Sequence, residues 1–120
     1  MGWDAFATKE SRRLETKWPE KGAIYLVDEA LRTAFTAAAN RPGATDGLLT
    51  HGGLGLSGCG TALHEATGMS VYDENGWDAD HVRSAASYAR WDDCDPRYRH
   101  SAQAFLETCA ALGLGIEFSY

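Results

Sequence analysis

Nothing in the 120 residues approaches the run of about 18 apolar side chains that a membrane-spanning helix needs. No span is therefore expected. The opening MGWDAFATKE lacks the apolar stretch of a secretory signal and carries Asp4 early, so none is read there. Gly2 invites a check for N-myristoylation, but Phe6 stands where Ser or Thr is required. Cysteine is scarce at three residues, and an odd number cannot pair within one chain. With no paired framework, a reducing, cytoplasmic setting is expected. Cys59 and Cys109 fall on apolar helix faces and read as small buried hydrophobes. There is no internal repeat, linker or low-complexity tract. One domain over 1–120 can bury most of its apolar surface without disulfide or metal.

Positive charge is also short. Eleven Lys and Arg face 17 Asp and Glu, a net charge of −6. The deficit is local: residues 1–41 sum to +1 and residues 42–120 to −7. Most of the excess lies in 65–95, where Glu65, Asp73, Glu74, Asp78, Asp80, Asp92, Asp93 and Asp95 outnumber Arg83 and Arg90. Such a surface argues against direct nucleic-acid binding, which sets cations against phosphates. It suits a basic protein surface, through electrostatic steering. It also serves simply as a solubilising face.

The pattern of the chain is α+β and mainly helical. Residues 2–8 alternate large apolars and read as a strand, followed by a charged, exposed stretch that includes Trp18 before Pro19. Ile24, Val27, Leu31, Ala34, Phe35 and Ala38 recur at helical spacing, which predicts a helix over 23–40 with an Asp28–Arg32 pair on its outer side. Residues 41–56 read as loop. A second helix is expected over 58–67, capped by Ser57, stopped by Gly68 and buried through Cys59, Ala62, Leu63 and Ala66. Residues 69–73 read as extended, closed by a turn at Glu74-Asn75-Gly76. Asp78 caps a third helix over 79–90, with Trp77 stapling onto Val82 and an inner stripe of Val82, Ala85, Ala86 and Ala89. A fourth, 96–112, follows Asp95 and Pro96 and presents Tyr98, Ala102, Phe105, Leu106, Cys109 and Leu112. Ile116, Phe118 and Tyr120 alternate in a last strand. Four helices packed on a small antiparallel pair made by the two terminal strands is the simplest assembly, since such a pair is marginal alone.

One motif has the spacing of a phosphate cradle. Residues 53–58, GLGLSG, match G-x-G-x-x-G through Gly53, Gly55 and Gly58, with Ser57 at a helix start and Asp73 twenty residues after Gly53. The context is poor for a dinucleotide. TDGLLTHG is not a buried β-branched strand, the following helix is short, and no βαβ alternation surrounds it. The alternative is a Gly-rich connection ending in a helix cap.

Other chemistry is sparse. His51, Cys59, His64, Cys94 and His100 contain no C-x2-C or H-x3-H spacing, and Cys59 and His64 lie about 140° apart on a helix. No metal ligands are assigned, and no cofactor is expected. The stretch 73–78 resembles a calcium loop, but Gly76 is fourth and Ser84 twelfth where Gly sixth and Glu twelfth are needed. Ser57 is not in G-x-S-x-G, because Cys59 takes the last position. The acids beside Cys94 are expected to raise its pKa, the wrong direction for a nucleophile. No catalytic residue is assigned. Of Trp3, Trp18, Trp77 and Trp91, most read as core, while Trp18 or Trp91 beside charges would anchor an interface.

MGWDAF at the start, ATGMSVYDENGW in the middle and LETCAALGLGIEFSY at the end resemble a group of small bacterial and phage proteins to which no function is attached. The resemblance spans nearly the whole chain and transfers no site residues. It implies a mobile-element origin, and by analogy an inhibitor of a host defence complex of the anti-CRISPR kind.

The sequence thus predicts a non-enzymatic protein-binding module. It would dock on a basic surface of a larger protein or complex through Glu65, Asp73, Glu74, Asp80, Trp91, Asp92 and Asp93, with no membrane partner. The alternative is a small ligand-, nucleotide- or metal-binding protein or enzyme working at the Gly-rich loop 52–60, through Gly53, Gly55, Ser57 and Gly58 with His51 and His64 nearby.

Overall fold

The computed structural model describes residues 4–18, 22, 24–55, 59–68 and 76–119. Strand β1 (Asp4–Lys9) and strand β7 (Gly115–Ser119) pair antiparallel from Asp4↔Ser119 to Thr8↔Gly115. The two ends of the chain therefore meet, as the alternation at each end predicts.

The sheet is larger than that pair. On the far side of β1, β2 (Arg12–Arg13) covers the end of the strand and β5 (Gly53–Gly55) covers its beginning. On the far side of β7 lies β6 (Gly76–Trp77). A separate two-stranded ribbon joins β3 (Thr16–Lys17) to β4 (Tyr25–Leu26). The β1–β2 connection is a two-residue turn at Glu10 and Ser11, both left-handed at φ 53° and 64°. That is the geometry of a type I′ hairpin, built without its usual Asn or Gly.

Four helices pack on this sheet: α1 (Glu29–Ala39), α2 (Gly60–Thr67), α3 (Ala79–Tyr88) and α4 (Arg99–Leu112). Helix α1 starts later than its apolar spacing predicts. The Val27 amide donates to the Glu15 carbonyl at 3.0 Å, so residues 25–27 continue the ribbon. Asp28 then caps α1 by accepting from the Leu31 amide at 3.0 Å, rather than pairing with Arg32 across a helix turn. Arg32 instead donates to the Leu26 carbonyl and lies over the Tyr25 ring. Val27 is exposed, whereas Phe35 and Ala38 are buried.

Local signals open α3 and stop α2 and α4 where the sequence predicts, while α2 begins at Gly60 rather than 58. Asp78 accepts from the His81 amide at 2.9 Å and opens α3. Gly68 and Gly113 end α2 and α4 in left-handed conformations, which cost a glycine little. Helix α4 begins three residues after the proposed start. Pro96 lies in a preceding turn, where the Asp95 carboxylate accepts from the Arg97 amide and its carbonyl accepts from Arg99. Leu112 is exposed, while Ser101 and Ala104 are buried in its place.

The core lies between sheet and helices. Ala5, Ala7, Leu54, Trp77, Ile116 and Phe118 meet Leu63, Val82, Ala85, Phe105, Leu106 and Cys109. Trp77 stacks edge-on to Phe118 with ring centres 5.2 Å apart, and Phe35 tilts against Phe105 at 6.3 Å. Each such buried side chain contributes about 1.5–3 kcal/mol. The extended piece at 69–73 and Tyr120 lie outside the described residues. No described helix is long and apolar enough to cross a membrane.

Candidate functional site: an acidic rim above a buried thiol pair

The chain between α3 and α4 makes one 3-10 turn, Trp91–Asp93, packed against α2 and α4. It carries three of the expected docking residues. Trp91 is half-buried, and Asp92 and Asp93 are exposed. Glu65 is exposed on α2 and Asp80 in the first turn of α3. Asp73 and Glu74 lie outside the described residues.

Arginines thin this acidic surface. Asp80 pairs with Arg83, Asp95 with Arg97 at 2.9 Å, and Asp92 with Arg99 at 3.2 Å. The Arg97 guanidinium holds the Asp95 carboxyl at about 2, below the ordinary 3.8, mainly through their side-chain hydrogen bonds. Asp78 is lowered too, by hydrogen bonds from the His81 amide and ring. Glu65 and Asp93 have no basic partner among the described residues. Six carboxylates between residues 59 and 99 of the described chain thus face four arginines. The turn Trp91–Asp93 is where carboxylate and aromatic surface come together.

The Gly-rich motif takes a different form from either reading of it. Gly53–Gly55 is a strand, not a loop, and pairs with Asp4–Phe6. A side chain at Gly53 would meet the Phe6 ring at 3.0 Å and the Ala5 carbonyl at 3.3 Å, so the glycine serves sheet packing. The Gly55 amide donates to the Asp46 carboxylate at 2.8 Å. An anionic oxygen already sits where a phosphate oxygen would have to bind. The Leu48 amide takes the other Asp46 oxygen at 2.9 Å. Ser57 and Gly58 lie outside the described residues, and Cys59 occupies the N-cap position of α2 without a side-chain bond. His51 is half-buried in a short 3-10 turn and His64 is exposed on α2.

Beside His51 and Gly52 is an apolar groove of about 430 Å³, walled by Phe6, Leu14, Ile24, Leu48 and Trp18. Trp18 is 75% exposed at its edge.

Two buried cysteines flank the acidic turn, Cys59 at the start of α2 and Cys94 at the end of the turn. They are 1% and 2% exposed, and both are free thiols. This corrects the expectation for Cys94. The hydrogen bond from Cys59, then the Arg99 charge, lower its pKa and outweigh burial and Asp93. Cys59 moves the opposite way: the same hydrogen bond, burial and the Cys94 charge push it far up. Cys109, on the buried face of α4, is pushed up by burial. Nε of Arg99 is buried and has no hydrogen-bond partner among the described residues. No sequence spacing announced this pair, because its cysteines come from separate elements.

No group of three His, Cys, Asp or Glu among the described residues is arranged to hold a metal ion. Comparison with known proteins adds no family: no family model, no curated protein and no solved structure matches the chain.

Proposed function

We propose that the protein is a non-enzymatic binding module that docks its acidic side on a basic surface of a larger protein and blocks it. The observation that carries this reading is the turn Trp91–Asp93. There a partly exposed indole sits among exposed carboxylates, with Glu65 on the α2 helix that packs against the turn. Aromatic anchors rimmed by charge are typical of interface centres, and like-signed rims speed encounter with an opposite surface. The resemblance to small phage proteins supports a host defence complex as the partner, in the manner of anti-CRISPR inhibitors. Residues 42–120 carry the −7 that repels nucleic acid, so the target is protein.

The test is capture of the partner on tagged protein, with elution over a salt series, repeated with Asp92→Lys/Asp93→Lys. A stoichiometric partner should leave as salt rises, and the double variant should bind at least tenfold more weakly, about 1.4 kcal/mol. Affinity indifferent to both changes would overturn the reading.

The groove beside His51 and Gly52 favours a second reading, a small apolar ligand rather than a nucleotide. Such a ligand would raise the melting temperature of the protein, and the rise would continue with the logarithm of ligand concentration above its dissociation constant.

A further inference from the structure

We propose that the groove beside His51 and Gly52 binds a small aromatic carboxylate, with its ring against Phe6 and Trp18 and its charge on the Arg13 guanidinium. The proposal rests on the second reading above, that this groove holds an apolar ligand, and adds the charge and shape of that ligand.

Size and walls come first. At about 430 Å³ the groove falls in the range of small-molecule sites, about 300–1,000 Å³. Its apolar walls come from three segments: Phe6 on β1, Leu14, Trp18 and Ile24 around the ribbon, and Leu48 before the 3-10 turn. The floor is fixed by backbone bonds. The Ala7 amide donates to the Gly52 carbonyl at 2.8 Å, and the Leu14 amide to the Ala7 carbonyl at 3.3 Å. Trp18 is 75% exposed at the edge, so its indole offers a flat apolar face that a ring would cover.

The charge of the groove is opposite to that of the protein. The chain has 17 Asp and Glu, yet none lines the groove among the described residues. Its ionisable lining is Arg13 and His51. Most of the walls come from residues 1–41, which sum to +1, against −7 for residues 42–120. A cationic ligand would find no carboxylate on these walls, whereas an anion finds a guanidinium.

The geometry of Arg13 selects a carboxylate. Its guanidinium carbon lies 4.2 Å from the centre of the Phe6 ring, which holds the group against the groove wall. Nε donates to Glu117 at 2.5 Å. The two terminal nitrogens have no hydrogen-bond partner among the described residues. Together they form the fork that a carboxylate fits with two parallel bonds. Glu117 thus orients the guanidinium and leaves that edge open, while its own charge offsets part of the attraction. His51 is half-buried, and its imidazole is a second polar group with no hydrogen-bond partner among the described residues. Apolar walls with a few convergent polar groups are the usual make-up of a site that orients its ligand.

The test titrates three probes of one shape into the isotope-labelled full chain at pH 7: 2-naphthoate, the neutral 2-naphthalenemethanol and the cationic 2-naphthylmethylamine. Amide and indole NMR shifts locate the binding. The acid should bind at least tenfold more tightly than the alcohol, the amine more weakly than either, with shifts centred on Trp18 and Gly52. Arg13→Gln should bring the acid down to the affinity of the alcohol and leave the alcohol unchanged. Trp18→Ala should weaken both alike, and Glu117→Gln should tighten the acid alone. Equal binding of acid and alcohol in the groove keeps it a site for apolar ligands and overturns the carboxylate. No binding of any probe up to about 1 mM overturns the groove reading and the proposal together. Shifts centred away from the groove, or tighter binding of decanoate than of 2-naphthoate, also overturn the proposal. The comparison between probes is made on the wild type and stands even if a variant fails to fold.

Discussion

Replacing Asp46 with alanine should cost more than replacing any other single exposed or half-exposed carboxylate among the described residues. One carboxylate holds two backbone amides, Leu48 at 2.9 Å and Gly55 at 2.8 Å. It thereby ties the 3-10 turn Leu49–His51 to strand β5. From the other side, the buried Ser101 hydroxyl accepts from the Thr45 and Asp46 amides at 2.9 and 3.3 Å, anchoring the same loop to α4. A hydrogen bond to a charged acceptor contributes about 1.5–3 kcal/mol. Asp46 is half-buried, so water replaces part of what is lost. The net cost of Asp46→Ala is then about 2–4 kcal/mol, a large share of a stability of about 5–15 kcal/mol. In urea the midpoint should fall by about 1–2 M at unchanged slope. Asp46→Asn keeps one acceptor oxygen and should lose about half as much. Far-UV circular dichroism against urea measures both. If Asp46→Ala unfolds within about 0.5 kcal/mol of the wild type, the loop is not held in this way and the reasoning fails.

Two further predictions rest on backbone strain and on charge. Glu10 and Ser11 both sit in the left-handed region, at about 1 kcal/mol each for residues with a Cβ, so Glu10→Asn/Ser11→Gly should stabilise the protein by about 1–2 kcal/mol in the same urea assay. Asp95 titrates at about 2 in the folded protein and near 3.8 unfolded, so its contribution is present above about pH 4 and is lost as pH falls through about 2. Asp95→Asn should flatten that part of the acid limb of the urea midpoint, and an unchanged limb would refute the Arg97 pairing.

The sequence by itself determined whatever depends on one turn of chain. Asp78 caps α3 because its side chain reaches an amide three residues on, and Gly68 and Gly113 stop helices because a left-handed residue is needed there. Alternation at residues 115–119 sufficed to pair the terminal strands, since Ile116 and Phe118 have one face to bury and β1 has the matching one. The rest was decided by contacts between segments far apart in the chain. Periodicity extended α1 back to residue 24, but pairing of Tyr25–Leu26 with Thr16–Lys17 claimed those residues for a ribbon. Glycines at 53 and 55 looked like a phosphate loop, and only the Phe6 ring and the Asp46 carboxylate show why they form a strand. The acids flanking Cys94 in sequence suggested a raised pKa, but Cys59 and Arg99, which only folding brings beside it, set the sign. Local patterns fix elements because their partners lie within a few residues. Sites are fixed by tertiary structure because burial and electrostatics act through space, whatever the separation along the chain.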